Sequence, residues 1–360
     1  MAWRGRGWWA LAANPDYGLL SRWLHALALG SDAVAVTAFD LESTLFSVED
    51  RHINDRPVFV AGLARAGTTL LMRLFHDTGA FSSLTYRDMP FVLAPNLWRR
   101  MSAPFARRGA AAERAHGDGL LVDVDSPEAL EEVFWRVHCR GDYIRPDRLL
   151  PMAASDEVIS RFRAYVGRIL RSHGGGRYLS KNNNNLLRLP SLRRAFPGAC
   201  ILVPFRHPLD QAASLLAQHR RFCQLQREDA FATRYMTWLV HHEFGLDQRP
   251  FDWGEGVASE RSRDSLDYWL AQWTAAYRHV LSQAGPALIL VDYDGLCAEP
   301  EVVWGRLAAS VGLDEPLPAG LVVRGPAPSR PLSGADPDLL ASALAIHGGL
   351  VTASGRRYSG

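Results

Sequence analysis

The sequence predicts an α/β fold in three layers, with a central parallel sheet flanked by helices. Three observations predict it. The runs VFVAG, CILVPF and ALILVD are short and apolar and lack the polar alternation of a half-exposed strand, so each reads as a strand covered on both faces. Around them lie segments with apolar residues at helical spacing. The first run also ends in a glycine-spaced turn that leads straight into a helix, the β-then-α order of a parallel sheet.

The elements follow in order. Residues 1–56 read as a mainly helical extension: LLSRWLHALAL has helical spacing, and DLESTLFSVEDRHI reads as a second helix with Asp40 as its cap. At Pro57 the pattern switches to PVFVAG, a strand, then TTLLMRLFHDTG, a helix stopped by Gly79. The stretch at 99–119 is basic and Gly-rich and reads as a loop. SPEALEEVFWRVHC predicts a helix with Ser126 as cap, Pro127 in the first position and acidic residues in the first turns. DEVISRFRAYVGRILRS is an amphipathic helix closed by three glycines, and RYLSK is a strand entering an asparagine run. LLRLPSLRRAF reads as a helix or turn, ACILVPF as a strand and LDQAASLLAQHRRFCQLQ as a helix. A long helical region is expected over 228–284, broken near RPFDWGEG, before the strand ALILVD and the helix EVVWGRLAASVGL. Residues 57–315 form the expected main domain, and 316–360 a tail with one short helix around PDLLASALA that completes it.

Composition narrows the function classes. The 360 residues are 48% apolar and 22% charged, ordinary globular usage, which argues against disorder. A net charge of +2 offers no bulk attraction for nucleic acid. The four cysteines form no C-x-x-C pair and read as free thiols of a reducing, cytoplasmic compartment. No apolar run reaches 18 residues, so no spanning helix is expected. The first residues, MAWRGRGWWALAANPDYGLL, lack the apolar core of a secretory leader. Their tryptophans and arginines suit peripheral membrane contact, but a segment packed on the domain is the preferred reading.

Two motifs carry chemistry. Gly62 to Thr69, GLARAGTT, has the glycine spacing of a Walker A loop, whose backbone amides and following helix cradle phosphate. Thr68 stands where a triphosphatase has the lysine that reaches the β- and γ-phosphates, and the loop's cation is Arg65. The loop is therefore suited to a 5′-phosphate that carries something other than a polyphosphate chain, on a fold like that of P-loop nucleotide-binding proteins, the alternative being a plain glycine turn. The second motif is RHPLDQAAS after CILVPF. Arg206 at a strand end and Ser214 in the following helix can converge on one anion, unless Arg206 merely pairs with Asp210. Both motifs follow strands, at the edge where open α/β sheets bind ligands.

GLARAGTTLL resembles the 5′-phosphosulfate loop of the sulfotransferase superfamily, in its bacterial, carbohydrate- and tyrosyl-protein-like branch. FRHPLDQAASL resembles its 3′-phosphate element, and LVDYDGLCAEP its later strand and turn. The likeness runs over 57–315 in the right order. It implies a sulfotransferase that uses 3′-phosphoadenosine 5′-phosphosulfate (PAPS) as co-substrate and needs no metal. Arg65, Ala66, Gly67, Thr68 and Thr69 would hold the 5′-phosphosulfate, Arg206 and Ser214 the 3′-phosphate, and Tyr293 would lie near the adenine. Arg65 departs from the lysine of cytosolic members. Their Gly-rich, basic C-terminal cofactor motif is not recognisable.

Sulfuryl transfer needs cations at the leaving group and a base at the acceptor hydroxyl. Arg65 and Lys181 are the candidate cations. Lysine and arginine together number 40 and Lys181 is the one lysine, so the other 39 are arginine, which suggests a need at 181 that arginine does not fill. Cytosolic members place a histidine base two residues after this lysine, where Asn183 stands. The resemblance to other branches suggests Asp88 as base, the alternatives being a loop cap or a pair with Arg87. Glu131 is the second choice, from an acidic group with Glu128 and Glu132, and His116 the third. His241, His242 and Glu243 do not form a zinc motif. Trp269 and Trp273 read as core. The expected acceptor is a hydroxyl, of a carbohydrate or polysaccharide by analogy. The rival readings are a small-molecule kinase, with Asp292 as a magnesium ligand, and a nucleotide-binding scaffold without catalysis. The oligomeric state has no sequence signal.

Overall fold

The computed structural model describes residues 19–48, 53–54, 56–105, 112–113, 121–122, 125–254, 261–283, 285, 287–319 and 334–356. Two N-terminal helices, α1 (Leu19–Gly30) and α2 (Asp32–Leu45), precede β1 (Val58–Val60), α3 (Thr68–His76), β2 (Phe81–Ser82) and α4 (Pro95–Ser102). A two-stranded hairpin of β3 (Ala112–Glu113) and β4 (Leu121–Val122) leads to α5 (Glu132–Tyr143) and α6 (Asp156–Ser172). Then come β5 (Arg177–Lys181), α7 (Leu189–Ala195), β6 (Cys200–Phe205), α8 (Pro208–Glu228), α9 (Ala230–Trp238) and α10 (Leu266–Ser282). The chain continues through β7 (Leu288–Asp292), α11 (Tyr293–Ala298), α12 (Pro300–Ser310) and α13 (Pro337–Arg356).

The main sheet has the order β2-β5-β1-β6-β7, and every adjacent pair is parallel. Its strands are covered on both faces, as their apolar runs require. Phe59, Tyr178, Ile201, Val203, Leu288 and Leu290 belong to one core. Their neighbours Val58, Val60, Leu179, Leu202, Ile289 and Val291 belong to the other. The alternation is that of side chains on opposite faces of a strand. The first core is closed by Phe162 and Tyr165 of α6 and Trp273 and Tyr277 of α10. The second is closed by Leu71 and Phe75 of α3 and Trp304 and Leu307 of α12. Each such side chain stabilises the fold by about 1.5–3 kcal/mol when fully buried.

The register sets the site. Val60 pairs with Lys181 on one side and Leu202 on the other, and Phe205 pairs with Asp292. The carboxyl ends of β1, β5, β6 and β7 therefore lie along one edge. Strand β1 is where connections diverge to either side, the position at which such sheets bind ligands.

Several elements differ from expectation for local reasons. Helix α2 starts at Asp32 because Ser31 Oγ accepts from the Val34 amide, and Asp40 lies inside the helix. Helix α5 starts at Glu132 because the preceding residues pair elsewhere: Pro127 bridges Thr85, and the Glu128 amide donates to Leu84. The expected helical region over 228–284 is interrupted after Trp238, and α10 restarts with Ser265 as cap. Helix α13 is much longer than the short one expected. All four cysteines are free, and only Cys139 is fully buried. No single helix among the described residues is long and apolar enough to cross a membrane. The N-terminal tryptophans and arginines at 3–9 and His116 lie outside the described residues.

Candidate active site

The turn after β1 is built from left-handed backbone. Arg65 has φ 68° and Gly67 φ 92°. A Cβ at Gly67 would lie 2.2 Å from Tyr293 Cδ2, so glycine is required twice over, by conformation and by space. For Arg65 the conformation costs about 1–2 kcal/mol, and partners hold it there. Its Nε donates to Ser214 Oγ at 3.0 Å, and its carbonyl accepts from Arg206 Nη1 at 3.4 Å. Ala64 O accepts from Gln211 Nε2 at 3.1 Å. The two motifs read from the sequence are thus bonded to each other. Helix α3 starts at Thr68, so its N-terminal amides and positive dipole end adjoin the loop. Ala66 and Thr68 are buried in the turn.

Arg206 follows β6 and stacks over Tyr293, its Cζ 4.9 Å from the ring centroid. Its Nε is buried without a hydrogen-bond acceptor; the nearest carboxylate oxygen, Asp294 Oδ1, is 3.9 Å away. Asp210 is beside His207 instead, at 3.9 Å. A buried guanidinium donor without an acceptor is costly, and an anion removes the cost. Arg206, Ser214 and the loop thus fit a ligand with two separate anionic groups. Tyr293 lies between Gly67 and Arg206. Burial, with Cys297 beside it, pushes its hydroxyl up to about 12. Asp292 caps α11 by accepting from the Asp294 amide at 3.0 Å, which accounts for the carboxylate that a kinase reading would give to magnesium.

The loop opens onto a cleft of about 60 Å³ that Ala64, Arg65, Thr68 and Thr69 line from the donor side. Lys181 at the end of β5 also lines it, and is only 7% exposed. Its Nζ is 3.6 Å from Glu128 Oε1. Glu128 accepts from Tyr86 OH at 2.8 Å and from the Ala129 amide at 2.8 Å. A second carboxylate, Glu243, accepts from Asn183 Nδ2 at 2.8 Å and pairs with His241 at 3.5 Å. Burial opposes ionisation of Glu243, but His241, a backbone hydrogen bond and Lys181 outweigh it and bring the carboxyl down to about 2. Burial also opposes charging of His241, and Glu243 outweighs it, so the imidazole is raised. The far wall is apolar: Phe222, Tyr235, Met236, Leu239 and Phe244.

The asparagine run anchors this floor. Asn182 donates to Glu132 and Asn183 to Glu243 at 2.8 Å. Asn184 donates to Val240 O at 3.4 Å and Asn185 to Glu131 at 3.4 Å. Arg188, fully buried, donates to both oxygens of Glu132 at 2.9 Å, and Tyr143 OH also donates to Glu132. The Arg188–Glu132 ion pair is fully buried, and breaking one side would strand a buried charge.

Two expected catalytic carboxylates are not in the cleft. Asp88 is 0% exposed. Its Oδ2 accepts from the Thr85 amide and hydroxyl at 2.8 and 3.2 Å and meets His173 Nε2 at 3.0 Å. It closes a capping box on its own turn, the alternative the sequence allowed, while Arg87 pairs with Asp125. Glu131 is 1% exposed and accepts from Trp135 and Tyr178, each at 2.9 Å, and burial pushes its carboxyl up. Glu128 faces the cleft because α5 starts late: the expected helix would have put it on one face with Glu131 or Glu132. His241 and Glu243, which form no zinc motif, line the cleft without having been expected there. Their i, i+2 spacing in a non-helical segment was the available signal. The apolar wall comes from α8, α9 and the following turn and carries no local motif.

A family model described as the sulfotransferase family matches residues 57–316. The sulfotransferase STF1 of Mycobacterium tuberculosis H37Rv is 16% identical, with 92% of this chain and 84% of that one covered and a TM-score of 0.48. The sulfotransferase STF9 of Mycobacterium avium is 17% identical, covering 91% and 75%, with a TM-score of 0.44. A sulfotransferase of Alicyclobacillus acidocaldarius is 14% identical, covering 84% and 95%, with a TM-score of 0.38. No curated protein matches the chain.

Proposed function

We propose that this chain, which belongs to the sulfotransferase family, moves a sulfuryl group from PAPS to a hydroxyl on an apolar-bodied acceptor, with Glu128 as the base. The observation that carries the reading is the bonding of Arg65 to Ser214 beside Arg206, at the carboxyl edge of strands β1 and β6. Two anion-binding elements are joined there, as a nucleotide phosphorylated at both 3′ and 5′ positions demands.

When bound, PAPS supplies the sulfuryl group and its leaving bisphosphate. The residues of this chain do the rest. The loop from Gly62 to Thr69 and the start of α3 bind the 5′ side through backbone amides. Arg206 and Ser214 bind the 3′-phosphate, and Tyr293 supports both Gly67 and Arg206. Arg65 and Lys181 supply positive charge where negative charge develops on the leaving oxygen. Glu128 accepts the acceptor hydroxyl's proton. It shares the cleft with Arg65 and Lys181, and Tyr86 and Ala129 fix its orientation. Glu243 is poorly suited to that role, because a carboxyl held near 2 by His241 binds protons weakly. It instead pairs with His241 beside the cleft and raises its imidazole.

The resemblance pointed to a carbohydrate. The five apolar side chains of the far wall support a different acceptor, with its hydroxyl at one end and an apolar or aromatic body behind it. Calorimetry with 3′-phosphoadenosine 5′-phosphate and with ATP tests the donor half; tighter, magnesium-dependent ATP binding rejects it. Sulfate transfer to paired panels of phenols, hydroxylated lipids and free sugars tests the acceptor half. Transfer to sugars alone restores the carbohydrate reading.

A further inference from the structure

A second cavity, of about 210 Å³, lies behind the cleft. That is many times the ~10–15 Å³ one water needs. Arg136, Arg140, His242 and Arg249 line it, with Trp238 and Val240. Arg136 and Arg140 are one helical turn apart on α5 and present one face. Nothing in the sulfotransfer reading uses these residues.

The charges are not balanced. Asp32 pairs with Arg136 at 3.4 Å and with Arg140 at 3.1 Å. Asp247 takes Arg249 at 3.0 Å and stands 3.2 Å from His242. Two carboxylates thus answer three guanidiniums. Arg136 is 5% exposed, and its Nη1 donates to Leu29 O at 2.7 Å. Its Nε is buried with no hydrogen-bond acceptor, and its Nη2, which also makes no hydrogen bond, is the atom paired with Asp32. A roomy cavity lined by three guanidiniums that share two carboxylates carries an excess of positive charge, which suits an oxyanion.

The cavity and the cleft share a wall. Leu239, His241 and Glu243 line the cleft, and Trp238, Val240 and His242 line the cavity. Val240 has φ 55°, a left-handed conformation that a β-branched residue rarely adopts, and Asn184 holds its carbonyl. Whatever fills the cavity buttresses the segment that carries His241 and Glu243.

We propose that this cavity is a second anion site, which binds a phosphate or sulfate group through Arg136, Arg140 and Arg249 and braces the wall of the acceptor cleft. Calorimetric titration of the full chain with inorganic phosphate tests it. Arg140→Met is the safe variant, because that side chain is 61% exposed; Arg249→Met is the second, and Arg206→Ala marks the donor site. Loss of a charge-assisted contact should weaken phosphate binding about tenfold or more in the first two, with Arg206→Ala retaining it. Loss in Arg206→Ala alone would mean that phosphate occupies only the donor site, and overturns the proposal. So does binding unchanged in all three variants, or none in the wild type. Parallel titrations with sulfate and glycerol 3-phosphate separate a free ion from an esterified one: tighter binding of the ester assigns the Trp238 side to its organic body. Hydrogen exchange at residues 239–243 should slow with phosphate in the wild type and not in Arg140→Met. Equal exchange with and without phosphate rejects the bracing role.

Discussion

Replacing Glu128 by glutamine is the most direct test of the site. The carboxylate is 3.6 Å from Lys181 Nζ and is 15% exposed. It accepts from Tyr86 OH and from the Ala129 amide, both at 2.8 Å. Glutamine keeps the shape and one acceptor oxygen, but removes the charge and the basicity. As a structural change it takes a partner from the mostly buried Lys181, so stability should fall, by up to about 3–5 kcal/mol in a denaturant titration. As loss of a general base it slows the chemical step. Positioned bases contribute about 10²–10⁴-fold, or about 3–5 kcal/mol in the barrier. The two effects are separated by measurement, one in stability and one in rate. Single-turnover transfer of labelled sulfate to the best acceptor from the panel should slow by at least about 100-fold. The Kd for 3′-phosphoadenosine 5′-phosphate should stay within about threefold, because Arg206, Ser214 and the loop are untouched. A rate within threefold of wild type for Glu128→Gln, with Glu243→Gln losing two orders of magnitude, would refute the reasoning and move the base across the cleft.

Arg206→Ala should weaken 3′-phosphorylated nucleotides by at least about tenfold while leaving adenosine 5′-phosphosulfate little changed, as calorimetry would read; equal losses reject the 3′-phosphate role. Gly67→Ala meets both φ 92° and a 2.2 Å approach to Tyr293, so nucleotide binding should be abolished and thermal stability should fall by about 1–2 kcal/mol from the backbone alone; unimpaired binding would reject the cradle. Asp88→Asn should destabilise the fold by about 1–3 kcal/mol in a urea titration through its Thr85 and His173 partners, with turnover unchanged; a catalytic loss at full stability would restore it as base. Glu243 is depressed from 4.5 to about 2, so its stabilisation is complete above 4.5 and is lost as pH falls toward 2. His241 is raised from 6.5, so its share is complete below 6.5 and is lost as pH rises through the raised value. Wild type minus Glu243→Gln in Tm should therefore peak between pH 4.5 and 6.5; a flat difference denies the pair.

The local structure of the proposed donor half was legible in the sequence because consecutive residues make it. A strand, a glycine-spaced turn and a helix occupy consecutive residues, so Gly67 and Thr68 announce themselves by spacing. Arg206 and Ser214 are likewise written as a strand end and the helix after it. Lys181 was found by its rarity. The start of α5 differs from expectation for one reason. Ser126, Pro127 and Glu128 have the composition of a helix start, but their backbone pairs with the segment from Leu84 to Tyr86, and such tertiary pairing overrides local propensity. The late start of α5 turns Glu128 into the cleft and leaves Glu131 and Glu132 beneath it.

The asparagines show why the acceptor half resists reading from sequence. Four identical residues in a row suggest a polar loop, yet each has a different partner: Glu132, Glu243, Val240 and Glu131. Each of those partners lies fifty or more residues from its asparagine, so no short window of sequence contains the pattern. Amides suit the task because they donate without carrying charge. Aspartates there would confront Glu131, Glu132 and Glu243, and lysines would compete with Lys181 for the same carboxylates. The run therefore holds Glu243 at the cleft, Glu131 and Glu132 beneath it and the strained Val240 segment in place, and leaves the charge along the cleft to Lys181, Arg65, Glu128 and the His241–Glu243 pair. In the proposed function, acceptor selection falls to the apolar wall from α8, α9 and the turn after it, which adjoins the same Val240 segment. The donor elements could thus stay constant while changes at 222–244 altered what is sulfated.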